Sequence, residues 1–230
     1  MQKAKHLKAK AKASEARKFE QLEFFSATIT GASPKDDRHS MAVPFFTLSK
    51  KIDTDNRTYF DQDGYEILRL EPSGRGLATI WDKDILLFCM SQIMAAKNRK
   101  QPYSKTISVD SFAVLTATGR GTSGPSYENL EDALIRLRGT TVLTPIATGG
   151  EVVTEGFGFI ESFKIVSQGR SAREVSRKGG KTVKKQAVLS FEVTLSEWIF
   201  NALRADEVLT LDPDYFSLKG VLGIFRLKKT

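Results

Sequence analysis

Cysteine occurs once in this chain, as Cys89, and histidine twice, as His6 and His39. A lone thiol excludes an internal disulfide framework, and one cysteine with two histidines far from it supplies no Cys/His ligand set for zinc. Long apolar runs are missing too. No stretch approaches the roughly 20 residues that span a bilayer, and no apolar segment follows the N-terminal lysines as a secretory signal requires. Carboxylates are the minority charge, 27 Asp and Glu against 35 Lys and Arg, for a formal net charge of +8. That balance suits an anionic partner. With 40% hydrophobic residues, the chain can bury a single core of about 150 residues or more.

Candidate chemistry is equally sparse. Cys89 falls on the apolar face of a strong helix pattern and reads as a packing residue rather than a nucleophile. Asp53, Asp55, Asp61 and Asp63 cluster, but without calcium-loop spacing, and they read as turns around a short strand. The expectation is a protein without enzymatic chemistry, metal or cofactor.

One motif argues for a cofactor at first sight. Gly119-Arg-Gly121-Thr-Ser-Gly124 is a literal G-x-G-x-x-G. A dinucleotide site needs a buried strand entering the glycines and a helix leaving them, with pyrophosphate on that helix's N-terminus. The helix is there. Ser126 can cap it, Leu130, Leu134 and Leu137 share a stripe, Arg136 and Arg138 occupy the last turn, and Gly139 can serve as C-cap. Its early turns carry Glu128, Glu131 and Asp132, which suit the helix dipole but repel pyrophosphate. Upstream, Val109 to Thr118 reads as a helix capped by Asp110 or Ser111, with Phe112 and Leu115 on one face. Two helices therefore flank the glycines, which are expected to let the backbone reverse sharply and approach a neighbour.

The pattern extends on both sides. Trp81 to Lys97 is a helix with Asp82 as cap and an apolar band from Ile85 to Met94, and Ser104 to Val109 is a short strand. After the third helix, Thr140 to Thr148 alternates in part, Gly149-Gly150 forms a two-residue turn, and Glu151 to Val166 returns as one long strand. Pro145 marks the first of these strands as an edge. Gln186 to Leu195 is a further strand, followed by a short helix from Trp198 to Leu203. Helix, strand, helix, turn, helix, hairpin is winged-helix order. The fold class expected is α+β, a helix-turn-helix with an antiparallel hairpin or meander, preceded by a basic N-terminal tail.

Six strings carry a family resemblance. They are Pro44-Phe-Phe-Thr-Leu-Ser-Lys-Lys51, Ile80-Trp-Asp-Lys-Asp-Ile-Leu86, Thr116-Ala-Thr-Gly-Arg-Gly-Thr-Ser-Gly124, Leu134-Ile-Arg-Leu-Arg-Gly-Thr-Thr141, Glu155-Gly-Phe-Gly-Phe-Ile-Glu-Ser162 and Val193-Thr-Leu-Ser-Glu-Trp198. In this order the chain resembles the replication initiator protein A family of bacterial plasmids over about residues 44–218. The resemblance implies a cytoplasmic initiator, associated with nucleoid or plasmid, that binds double-stranded DNA at origin repeats, forms homodimers, recruits host helicase or primase machinery and has no membrane partner. Residues 1–40 then read as basic tail and linker, and 41–218 as the winged-helix initiator domain. The family continues past a segment like Asp212-Pro-Asp-Tyr-Phe-Ser-Leu218 into a second winged helix, whereas 219–230 shows no helical pattern. The expectation is a chain shortened after its first domain, whether as a natural product, a cloning boundary or a reading-frame change.

Two sets of residues are candidates for DNA. In the helix-turn-helix, Arg120 and Ser123 occupy the turn, and Ser126, Asn129 and Arg136, with Tyr127, are left for groove or backbone once the leucines face inward. Arg136 and Arg138 equally suit a helix C-terminus, so two roles stand for each. The second set, Arg170, Arg173, Arg177, Lys178, Lys181, Lys184 and Lys185, loads the loop between the last two strands. Such a loop can lie along phosphates without reading sequence, or it can be a solvated surface that keeps the protein soluble. No aromatic interleaves it, which argues against single-strand stacking. The competing function is an interaction module that dimerises through a strand edge and the third helix, with weak or non-specific DNA binding.

Overall fold

The computed structural model describes residues 25–27, 35–37, 44–48, 51–148, 151–167, 173–178, 181–185, 188–211 and 215–216. In chain order the elements are β1 (Phe25–Ser26), β2 (Lys35–Asp37), β3 (Arg57–Phe60), β4 (Glu66–Glu71), α1 (Ile80–Asn98), β5 (Thr106–Asp110), α2 (Ser111–Ala117), α3 (Gly124–Gly139), β6 (Thr141–Thr148), β7 (Glu151–Phe157), β8 (Ile160–Ser167), β9 (Arg173–Lys178), β10 (Lys181–Lys185), β11 (Val188–Leu195), α4 (Glu197–Arg204) and β12 (Val208–Thr210). The architecture is mixed α and β, and its sheets are antiparallel except where β1 joins β5.

Helix α1 is the axis of the fold. Its N-cap is Thr79, one turn before the expected Asp82, and the two form a capping box. The Asp82 amide donates to Thr79 Oγ1 at 3.3 Å, and the Thr79 amide donates to Asp82 Oδ2 at 2.8 Å. From Asp82 to Met94 every residue is buried, because α2, α3, α4 and β2 all pack on this helix. Cys89 lies in that core as expected, and burial pushes its thiol up to about 12. At the far end Lys97 Nζ donates to the carbonyls of Leu203 and Arg204 at 2.9 and 3.0 Å, so a cation on α1 closes the C-terminus of α4.

The first sheet has the order β1-β5-β11-β8. Alternation puts Ile107, Val109, Phe191, Val193 and Leu195 on the core face, all fully buried. The opposite face is polar, with Thr106 and Thr194 hydroxyls 2.9 Å apart and Lys164 3.1 Å from Glu192. The second sheet, β3-β4-β6-β7, covers the core with Leu68, Leu70 and Val142. Two short strands fall within the 1–40 stretch read as tail and linker: β1 beside β5, and β2 paired with β12.

The single long strand expected from Glu151 to Val166 is two strands in two sheets. The break is at Gly158 and Phe159. A Cβ at Gly158 would stand 3.1 Å from the Arg138 carbonyl, so the backbone there passes so close to the end of α3 that a side chain would push that carbonyl aside. Phe159 turns fully inward, its amide donates to the Leu137 carbonyl, and its own carbonyl accepts from the Ser196 amide at the start of α4. Pro145 is flanked on both sides in strand order, which corrects the edge reading, yet β4 pairs with β6 only as far as Leu143. Beyond that point β6 and β7 continue as a two-stranded ribbon, so Pro145 breaks no ladder to β4.

Candidate nucleic-acid interface

The two helices that flank the glycine turn form as the spacing suggests, with shifted ends. Asp110 caps α2, its Oδ1 accepting from the Ala113 amide at 2.8 Å. The helix closes where the Gly119 amide donates to the Thr116 carbonyl and the Arg120 amide to the Leu115 carbonyl. Gly119 has φ +65, a left-handed position that favours glycine. Gly121 and Gly124 have no positive φ, and a Cβ at Gly124 would touch nothing within 4 Å. Of the three glycines, then, one serves the turn by conformation.

Helix α3 starts three residues earlier than Ser126 as cap predicts. Ser123 is its N-cap, Pro125 falls in the first turn where a missing amide hydrogen costs nothing, and Thr140 rather than Gly139 is the C-cap. Leu130, Ala133, Leu134 and Leu137 are buried as the stripe requires. Phe112 is not: it is 57% exposed on α2, while Val114 and Leu115 take the core.

Two of the expected DNA contacts are turned inward. Arg136 sets its guanidinium bidentate on Asp82, Nε to Oδ2 at 2.7 Å and an Nη to Oδ1 at 2.8 Å, with both side chains largely buried. Arg120 donates to the Trp81 carbonyl and stands 3.8 Å from Asp84. Burial pulls the Arg120 guanidinium below the usual arginine range, against the opposing pull of Asp84 and Asp82; for Arg136 the hydrogen bond to Asp82 wins and raises it. Both stay cationic, since arginine does not release its proton in proteins. The inward turn follows from position: Arg136 flanks the buried stripe one turn beyond Ala133, opposite the two carboxylates that begin α1. A pairing between acids on one helix start and arginines on another element leaves no local periodic signal, which is why the sequence placed these groups outward.

What faces outward from α3 is different in charge. Asn129, Glu131 and Arg138 are exposed, Ser126, Glu128 and Asp132 are half-buried, and Asp132 lies 3.4 Å from Arg75. The Ser123 and Ser126 hydroxyls stand 3.4 Å apart at the exposed helix start. Arg138 is therefore the one cation among the expected α3 contacts that is exposed.

The second candidate set forms no loop but a ribbon. Arg173, Arg177 and Lys178 lie on β9 and Lys181, Lys184 and Lys185 on β10; Arg170 lies outside the described residues. The two strands pair antiparallel with a register shift between Val183 and Lys184. In the chain the ribbon sits between β8 and β11, neighbours in the first sheet whose register ends with Ser167 opposite Val188. In chain order the basic ribbon thus lies between β8 and β11 of the first sheet, whereas the β6 and β7 hairpin that follows α3, expected as the wing, belongs to the other sheet.

The six strings singled out in the sequence converge on two clusters. Phe46 stacks on Phe159 with ring centroids 4.4 Å apart, Trp198 stacks on Phe157 at 4.7 Å, and Phe45 meets Trp198 edge-on at 5.5 Å. Three strings meet there. The other three meet at Asp82, Asp84, Arg120 and Arg136. Lys83, whose Nζ lies 5.3 Å from the Phe46 ring centroid, joins the two clusters. The strings hence report how the domain is packed.

The family model of replication initiator protein A matches residues 35–228, beyond both ends of the span carried by the six strings. A putative replication protein of Wigglesworthia glossinidia brevipalpis is 32% identical over 200 residues, covering 86% of this chain and 67% of that protein. Among solved structures, selenomethionine derivatives of domains 2 and 3 of RctB superpose with a TM-score of 0.55 at 14% identity, over 74% of this chain and 63% of that one. A second structure of RctB domains 2 and 3 gives a TM-score of 0.50 at 12% identity, over 70% of this chain and 57% of that one. At such identities these two likenesses concern the fold. The chain belongs to the replication initiator protein A family.

Proposed function

We propose that this chain is a plasmid replication initiator whose helix-turn-helix and basic ribbon form a winged helix that binds origin double-stranded DNA. The observation that carries the reading is the basic ribbon between β8 and β11, in the place of a wing. Family membership supports the initiator role, and Asn129 and Arg138, exposed on opposite flanks of α3, with exposed Ser123 and half-buried Ser126 at its start, supply polar groups there. Initiation proceeds by occupancy, with bound copies straining origin DNA and recruiting host helicase or primase in the cytoplasm, and without chemistry of its own. Among the described residues no three His, Cys, Asp or Glu side chains are placed to hold a metal, and no helix is long and apolar enough to cross a membrane.

Replacing Lys184 and Lys185 with alanine is expected to flatten the dependence of log K on log salt by up to about two, the number of phosphate contacts removed. Anisotropy titrations across a salt series measure this. An unchanged slope returns the ribbon to a solvated surface.

A second reading, a homodimerisation module, is favoured by one observation. Strand β7 is a sheet edge with Val152 68% and Val153 44% exposed. Sedimentation equilibrium of the wild type and of Val153→Lys decides whether that edge pairs copies of the chain.

A further inference from the structure

The ribbon of β9 and β10 stands apart from both four-stranded sheets: among the described residues it pairs only with itself. A two-stranded antiparallel ribbon with no third strand is marginal in water. Composition makes it weaker still. Between Arg173 and Lys185 six cations face one carboxylate, Glu174. The register then sets like charge opposite like charge at two of its five paired positions, Lys181 opposite Lys178 and Lys185 opposite Arg173, with only Glu174 opposite Lys184 as a complementary pair. Like charges directly opposite destabilise a strand pair. A row of phosphates removes that repulsion and gains counterion release at the same time.

Resting on the DNA-binding reading above, we propose that the β9 and β10 ribbon is an arm for the nucleic-acid phosphate backbone whose strand pairing is completed by that backbone, so that binding and tightening of the arm are one event. The chemistry is that of phosphate, not of bases. The arm therefore contributes affinity without sequence preference, and any discrimination between duplexes comes from α3 and its exposed start.

Hydrogen exchange of the full chain, read on the amides of 173–178 and 181–185, tests this in parallel with anisotropy on a fluorescein-labelled random-sequence duplex. At low salt, with duplex tenfold above its Kd, these amides are expected to exchange about tenfold more slowly than in the free chain, and high salt is expected to abolish the difference. The variant Lys181→Glu, which sets a carboxylate opposite Lys178, is expected to slow ribbon exchange without DNA while weakening duplex binding. Binding by anisotropy with unaltered ribbon exchange overturns the arm and leaves the DNA reading intact. Failure to bind at low salt overturns both. Unchanged exchange in Lys181→Glu overturns the role given to charge register.

Discussion

Replacing Phe159 with alanine is expected to lower the free energy of unfolding by about 3–5 kcal/mol, near the upper end for a core truncation. The side chain is 1% exposed and stacked on Phe46. It also sits at the corner where the chain leaves one sheet for the other, with its backbone tied to the ends of α3 and α4. The cavity is expected not to close easily, because the backbone next to Phe46 is pinned by the pairing of Thr47 with Thr79 and Lys83 Nζ lies 5.3 Å from the Phe46 ring centroid. Denaturant unfolding measures the loss. Phe112→Ala, an exposed aromatic of equal size on α2, is the control and is expected to change stability by less than about 0.5 kcal/mol. A small effect at Phe159 would mean that the two sheets fold independently of this corner.

Asp82 is the second sensitive position. It serves two structures at once, the capping box of α1 and the bidentate seat of Arg136. Asp82→Ala strands a guanidinium that is only 16% exposed, and a broken buried pair costs about 3–5 kcal/mol. Arg136→Met leaves the opposite charge buried and is expected to cost a similar amount. The double variant Asp82→Ala with Arg136→Met is expected to fall short of the sum of the two singles by about 1–3 kcal/mol, since neither charge is left alone. It does not return to wild type, because the cap on Thr79 is lost as well. Additive effects in this cycle would show that the pair is incidental to stability.

Much of the fold was legible because it is locally encoded. The buried stripe of Leu130, Leu134 and Leu137, the cap at Asp110 and the apolar band of α1 follow from helical periodicity, and the structure places them accordingly. Strand partners were less legible. Glu151 to Val166 reads as one strand because periodicity of two does not register a change of sheet; only the close approach at Gly158 does, and that requires knowing where the Arg138 carbonyl lies. The candidate site divides in the same way. The basic run from Arg173 to Lys185 is plain in composition. The inward turn of Arg120 and Arg136 depends on Asp82 and Asp84, 36 or more positions away in sequence, and no local pattern announces it. Strings that looked like a binding signature, the glycines included, serve packing: Gly119 turns the chain, and its neighbour Arg120 anchors that turn to the start of α1.

This rearranges the expected interface. Under the proposed function, with two arginines committed to α1 and acids on its outward face, α3 is poorly charged for approaching DNA by itself, and the ribbon is the expected main source of affinity. Base preference then rests on a few neutral side chains and Arg138, a division of labour in which phosphate contacts position and base contacts specify.

The most direct measurement is fluorescence anisotropy of the intact chain with two labelled duplexes, one carrying the repeats of its own origin and one of scrambled sequence, titrated across a salt series. The account predicts that both bind at low salt with affinity falling steeply as salt rises, and that the origin duplex binds more tightly throughout. Absence of binding to either duplex at low salt contradicts it.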